Sequence, residues 1–275
     1  MSLTRFLDRV PDRDRSLVVA NRTGPAVLQR MLETAFAEQP VDVEETDVPD
    51  VDDDVVLLVE GDEVVATSPF SALQETLLFV NSDLYRTGTQ GIETLDLPDV
   101  LTGLDGVRFS LRSYPQSDTE KLLLIVISRY IERVSWQADG GRHRASFQSL
   151  SRIRDERGTR EVYGTLGDTG TDVHVYGVPN WVPPASLGVT IHGGYTEDFT
   201  DSWFVLFRPD EDARAVGDGG ENGAGTGPAS NTRAGSSVDP VALLAIEQER
   251  GLWDGFWTFD PDLVDDIASY IATRL

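Results

Sequence analysis

The sequence predicts an α/β fold of mixed sheets with flanking helices: an N-terminal βα region followed by a second α/β unit. Three observations carry this. Strand-length apolar runs such as SLVVAN (16–21) alternate with segments of helical period such as PAVLQRMLETAFAEQ (25–39). A chain of 275 residues can bury one large core or two smaller ones, and two are expected here. Near the C-terminus the string GFWTF runs directly into Asp260-Pro261, an N-cap followed by a first-turn proline.

Taken in order, Leu3, Phe6, Leu7 and Val10 share one face of a short helix, and SLVVAN is a buried strand. In the next segment Val27, Leu28, Met31, Leu32, Ala35 and Phe36 recur at helical spacing behind Pro25. VDVEET (41–46) is a strand, and VVLLVEGDEVVATS folds back at Gly61-Asp62 as a hairpin. Ser68 caps and Pro69 begins a helix striped by Leu73, Leu77 and Leu78. LPDVLTGL is a short helix, and VRFSL closes the first region, residues 1–115. A connecting helix at 116–139 spans Ser117 to Gln137 and is apolar on more than one side. ADGGRHR breaks that pattern and FQSLSRIRDER resumes it as a helix with Phe147, Leu150 and Ile153, followed by another near 161–166. TDVHVYGV, LGVTIHG, SWFVLFR and VALLAIEQE are strands, and Leu263, Val264, Ile267, Tyr270 and Ile271 stripe the last helix. A flexible insertion over 211–238 is too rich in Gly, Ser, Asn and Thr to bury a core.

The formal net charge is −24, and Lys121 is the only lysine. This predicts adaptation to concentrated salt, since near 1 M the Debye length shrinks to about 3 Å and self-repulsion is screened. There is no cysteine, which removes disulfides, thiolate metal sites and cysteine nucleophiles. MSLTRFLDRVPDRDR lacks the apolar segment of a signal peptide, and LLLIVI (122–127) is far too short to span a bilayer. The expectation is a cytoplasmic protein in a salt-rich cell, without membrane contact. Nucleic acid is disfavoured because the phosphate backbone would repel so acidic a chain.

Motifs for common chemistries are missing. No glycine-rich loop ends in Lys-Ser or Lys-Thr, NRTGP after the first strand supplies one glycine where a dinucleotide turn needs more, and no GxSxG is present. DVDDD (50–54) reads as a solvated acidic loop. His174 and His192, on neighbouring strand patterns with acids such as Asp172 and Glu197, could serve a small hydrolase or metal-dependent enzyme; a metal would require three convergent ligands. Against the acidic background, Arg142, Arg144, Arg152, Arg154, Arg157 and Arg160 gather with His143. Guanidinium groups hold carboxylate or phosphate bidentately, so this is the candidate anion or acidic-partner surface; its alternative is internal pairing with Asp155, Glu156 and Glu161.

FQSLSRI, Tyr163, VHVYGVPNW, SWFVLF, ALLAIEQE and GFWTFDPDLV follow one another between about Gly140 and Leu275 in an order that resembles the DICT domain. The resemblance implies a non-catalytic α/β sensory domain over 140–275 that binds a ligand or a signalling partner and acts on a separate output protein. It specifies no cofactor, ligand or oligomeric state. Within this region Arg152, Tyr163, Trp181, Trp253, Phe256 and Trp257 are the candidate ligand- or partner-binding residues. A sheet covered on both faces would bury Phe256 and Trp257 without any ligand, whereas loop tryptophans Trp181 and Trp253 could line a pocket with Arg152 as its polar wall. A regulator acting only through an exposed apolar face is a third reading.

Overall fold

The computed structural model describes residues 2–11, 13–37, 39–76, 97–112, 121–210 and 238–275. The expectations for Leu77, Leu78, Ser117 and the insertion up to residue 237 lie outside the described residues. The chain builds two mixed sheets flanked by helices.

The first sheet combines β1 (Arg15–Ala20), β2 (Val41–Thr46), β3 (Val55–Glu60) and β4 (Glu63–Pro69) in the order β2-β1-β3-β4. Helix α1 (Ala26–Phe36) makes the crossover between parallel β1 and β2, and β3 and β4 form the hairpin expected at Gly61. One correction concerns Ser68-Pro69. The strand continues through Pro69, α2 begins at residue 70, and Ser68 instead accepts a hydrogen bond at 3.2 Å from the backbone of Val100, in α3 (Asp99–Thr102).

The second sheet contains β5 (Phe109–Arg112), β6 (Arg142–Ser149), β7 (Asp172–Val178), β8 (Thr190–Gly193), β9 (Ser202–Arg208), β10 (Val241–Glu249) and β11 (Leu252–Thr258), in the order β5-β11-β10-β9-β6-β7-β8. Only the β6–β7 and β7–β8 pairs are parallel. Two corrections follow. VRFSL does not close the first half; its strand β5 pairs with β11 at the edge of this sheet. RHRASFQS is not a helix break and a helix start but β6, a strand with neighbours on both sides. A glycine makes its entry feasible: Gly141 has φ +77, and a Cβ there would lie 2.4 Å from the carbonyl oxygen of Arg208.

Each face of this sheet is covered, as strand alternation requires. On one face Val205, Phe207, Leu243, Ala245, Trp253 and Trp257 join α4 (Lys121–Ala138) and α6 (Arg157–Gly167), in a core continuous with Leu17, Val19 and Leu58 of the first sheet. On the other, Phe204, Leu206, Leu244 and Phe256 pack under α8 (Pro261–Arg274) together with Leu3, Phe6 and Leu7 of an N-terminal 3₁₀ helix (Leu3–Arg9). As expected, Asp260 caps α8, its side chain accepting from the amides of Asp262 and Leu263, and Pro261 fills the first turn. The two halves therefore share one core, to which α4 contributes Leu123, Leu124, Val126, Ile127 and Ile131. Among the described residues no helix is long and apolar enough to cross a membrane.

Candidate functional site

The aromatics expected at a binding site separate once the sheet is formed. Phe256 is fully buried under α8, and Tyr163 is fully buried beneath the opposite face. Trp257 lies parallel on Phe109 at 4.9 Å, and Trp253 meets Trp203 edge-on at 6.5 Å. The indole N–H of Trp257 is buried with no partner among the described residues, a cost that its stacking contact must offset. Trp253 stands in β11 rather than in a turn, and Trp181 follows β7, four strands away in the sheet order. At the usual strand spacing that is about 19 Å, so the two do not line one pocket. Arg152, exposed on α5 (Ser151–Asp155), is not their polar wall. The aromatics close cores.

The arginine cluster also divides. Arg154 pairs with Asp155 at 2.8 Å and Arg157 with Glu161 at 2.7 Å, both on the exposed surface of the α5–α6 side. His143 faces inward on that side, whereas its neighbours Arg142 and Arg144 point to the other face because alternate residues of β6 do.

There the parallel strands align polar residues. Arg142 is opposite Asp172; Arg144, His174 and Thr190 form a row across β6, β7 and β8; Ser146, Tyr176 and His192 form the next. Asp172 Oδ2 accepts from Arg142 Nε at 2.9 Å and is 2.9 Å from His174 Nε2; His174 Nδ1 is 2.8 Å from His192 Nε2. The ring of His192 stacks on Tyr176 at 4.3 Å and 9°. Arg144 Nη1 donates to the Tyr176 hydroxyl.

Hydrogen-bond chemistry orders this row. A carboxylate only accepts, so His174 presents Nε2–H to Asp172, and a neutral His174 then accepts at Nδ1 from His192 Nε2–H. Burial, followed by the positive charges of Arg144 and Arg142, lowers the pKa of His174 despite Asp172. Burial, then His174 and Arg144, lowers that of His192. Partial burial of Asp172 opposes its ionisation, but hydrogen bonds from His174 and Arg142 outweigh this and hold it below the ordinary carboxyl range. Both imidazoles are thus neutral at pH 7, with one nitrogen of His192 left as a base.

Arg144 is the unusual member. It is only 6 % exposed, yet among the described residues no carboxylate forms an ion pair with it. A buried cation is costly unless paired. In a chain of net charge −24 a carboxylate partner would be easy to supply. Replacing Arg144 by methionine and Tyr176 by phenylalanine together should leave stability unchanged or raise it by about 1 kcal/mol or more, equivalent to about 2–4 °C per kcal/mol in thermal melts followed by circular dichroism. A clear fall in Tm would make Arg144 a structural strut instead.

A second polar network lies under the opposite face. His143 is bonded to Ser135 Oγ at 2.7 Å and to the Tyr163 hydroxyl at 3.2 Å; Tyr163 is also linked to Glu132, which pairs with Arg129 at 2.7 Å. Ser135 donates to the Ile131 carbonyl, so His143 Nδ1 carries the proton on the shared bond. Burial raises Glu132 and Tyr163, and burial followed by the charge of His174 brings His143 down to about 3. Buried except at Arg129, this network fastens α4 and α6 to β6.

Among the described residues no group of three His, Asp or Glu side chains could hold a metal ion. Both nitrogens of His174 are already engaged. Sequence reasoning missed the Arg144–His192 patch as a unit, although RHRAS and DVHVY both place a polar residue at every second position, the period of a strand face. Compared with known proteins, the chain matches no family model, no curated protein and no solved structure.

Proposed function

We propose that this chain is a non-catalytic sensory protein that binds a small anionic ligand on the β6–β7–β8 face and passes a conformational signal to a separate output protein. The observation that carries the reading is Arg144, a buried guanidinium with no carboxylate partner among the described residues, beside the His174–His192 pair. A route for the signal is available. Tyr176 touches His192 on one side and the rings of Phe204 and Phe199 on the other, the latter in α7 (Glu197–Thr200). In α7, Asp198 accepts from the Leu3 amide at 2.9 Å and from the Tyr270 hydroxyl at 2.7 Å, tying the site's neighbour to the N-terminal 3₁₀ helix and α8. The resemblance of residues 140–275 to the DICT domain supports signal input rather than turnover. On the same reading the protein works in a salt-rich cytoplasm, where its charge is screened.

The test is native mass spectrometry of the full chain isolated from a high-salt extract. A small anion should accompany the wild type and be absent from the Arg144→Met/Tyr176→Phe variant. Recovery of both without any anion would refute the reading. The hydrogen-bonded Asp172–His174–His192 row favours one rival, a hydrolase with His192 as general base; turnover lost in His192→Gln would decide for it.

A further inference from the structure

We propose that the site takes a dianionic oxyanion, the phosphate group of a small metabolite, together with one proton that the His174–His192 pair holds while the anion is bound. This rests on the ligand-binding reading above and adds the ligand's chemistry and its regulation.

Charge arithmetic motivates the proton. Arg142 is neutralised by Asp172, and the two imidazoles are neutral, so Arg144 leaves the patch with one positive charge. A bound dianion would turn that into one negative charge in a half-buried place, and a proton on the pair restores neutrality. Hydrogen bonding sets the number. With one added proton the pair keeps both of its bonds, because three N–H groups suffice to donate to Asp172, bridge the rings and present one donor outward to the anion. A second added proton would set two N–H groups against each other across 2.8 Å. The capacity is therefore one.

The surroundings favour uptake on binding and not before. The groups facing His192 are His174, Asp172 and Tyr176 on β7 and Arg144 on β6, with Arg142 one row further. On α7, which packs over Tyr176, Asp198 is occupied by Leu3 and Tyr270 and Glu197 is exposed. In the free protein burial and Arg144 oppose protonation of His192; an oxyanion on Arg144 cancels that repulsion and accepts from the imidazolium. Proton and anion each raise the other's affinity by the same factor, as linkage demands.

Sulfate is the probe, because its charge does not change between pH 6 and 8 and any proton taken up belongs to the protein. Calorimetric titration of the full chain at constant ionic strength, in two buffers of different ionisation enthalpy, reads the proton count directly. The expected result is one site, uptake approaching one proton, and affinity that weakens as pH rises from 6 to 8, by up to about tenfold per unit. His192→Gln should still bind sulfate but with no uptake and a flat pH profile, and Arg144→Met/Tyr176→Phe should bind at least about tenfold more weakly. Should His192→Gln fold poorly, imidazole titration by NMR in the wild type decides the same point, since one histidine's apparent pKa must rise with sulfate. Binding without proton uptake, or uptake unchanged in His192→Gln, overturns the proton coupling while leaving the anion-binding reading intact. Sulfate affinity unaffected by the Arg144 variant overturns both.

Discussion

Phe256→Ala should lower the unfolding free energy by about 3–5 kcal/mol, the cost of emptying a fully enclosed aromatic position. Phe256 is 0 % exposed and packs in the cluster of Leu244, Phe204, Val264 and Ile267, where α8 meets the sheet. Little in that cluster can collapse into the space, because strands β9, β10 and β11 are held in register by their backbone hydrogen bonds. Equilibrium denaturation should show a lower midpoint at unchanged slope. The same experiment discriminates between the two roles weighed for this residue. A side chain serving as the lip of a binding site would cost well under about 1 kcal/mol of stability when truncated, and a loss that small would mean the cluster is not the core described above.

Acid should destabilise the protein through His143 well before its carboxylates titrate. The imidazole is enclosed between α4, α6 and β6 with its folded pKa near 3, against an ordinary value of 6.5. Between those limits the unfolded chain binds a proton that the folded chain does not, so stability is complete above about pH 6.5 and falls as pH falls. The slope approaches 1.4 kcal/mol per pH unit, or about 2 kcal/mol by pH 5. Glu132, raised by its burial, acts in the opposite direction: the folded state gains a proton more readily there, which offsets part of the loss. The informative quantity is thus the difference between the wild type and His143→Gln, whose amide can still donate to Ser135 and accept from Tyr163. Urea melts from pH 7.5 to 5 should show the two stabilities converging as pH falls. Parallel curves would mean that His143 is hydrated or already protonated in the folded state.

Much of this architecture is written locally. The period-2 and period-3.6 patterns place β1, α1, β2, the β3–β4 hairpin and β7 to β11, and the Asp260-Pro261 start marks α8 correctly because capping is a property of a few adjacent residues. Where local signals overlap, tertiary structure arbitrates. RHRASFQS carries arginines at alternate positions and joins a segment whose Phe147, Leu150 and Ile153 fit a helix; only pairing with β7 and β9 makes it a strand. Ser68-Pro69 has the form of a helix start, yet β3 holds it in a ladder. VRFSL has no local reason to belong to the second sheet, and does so because β11 offers it an edge.

The candidate site follows the same division. Composition revealed that a run of arginines with His143 stood out from an acidic chain, and the strand positions of His174 and His192 were recognisable. Which arginine meets which histidine depended on register: Arg144 opposite His174, Tyr176 opposite His192, His143 on the reverse face. A shift of one residue would exchange the buried network for the candidate anion site.

By itself, then, the amino-acid order determined the α/β class, most elements and the acidic character, since these depend on side-chain type and spacing along the chain. The tertiary structure alone decided that the aromatics are core, that both halves share one interior, and that a guanidinium with no carboxylate partner among the described residues lies beside two hydrogen-bonded imidazoles. The physical reason is that burial and charge pairing are relations between residues far apart in sequence, which exist only once strands are in register and each face has acquired its cover.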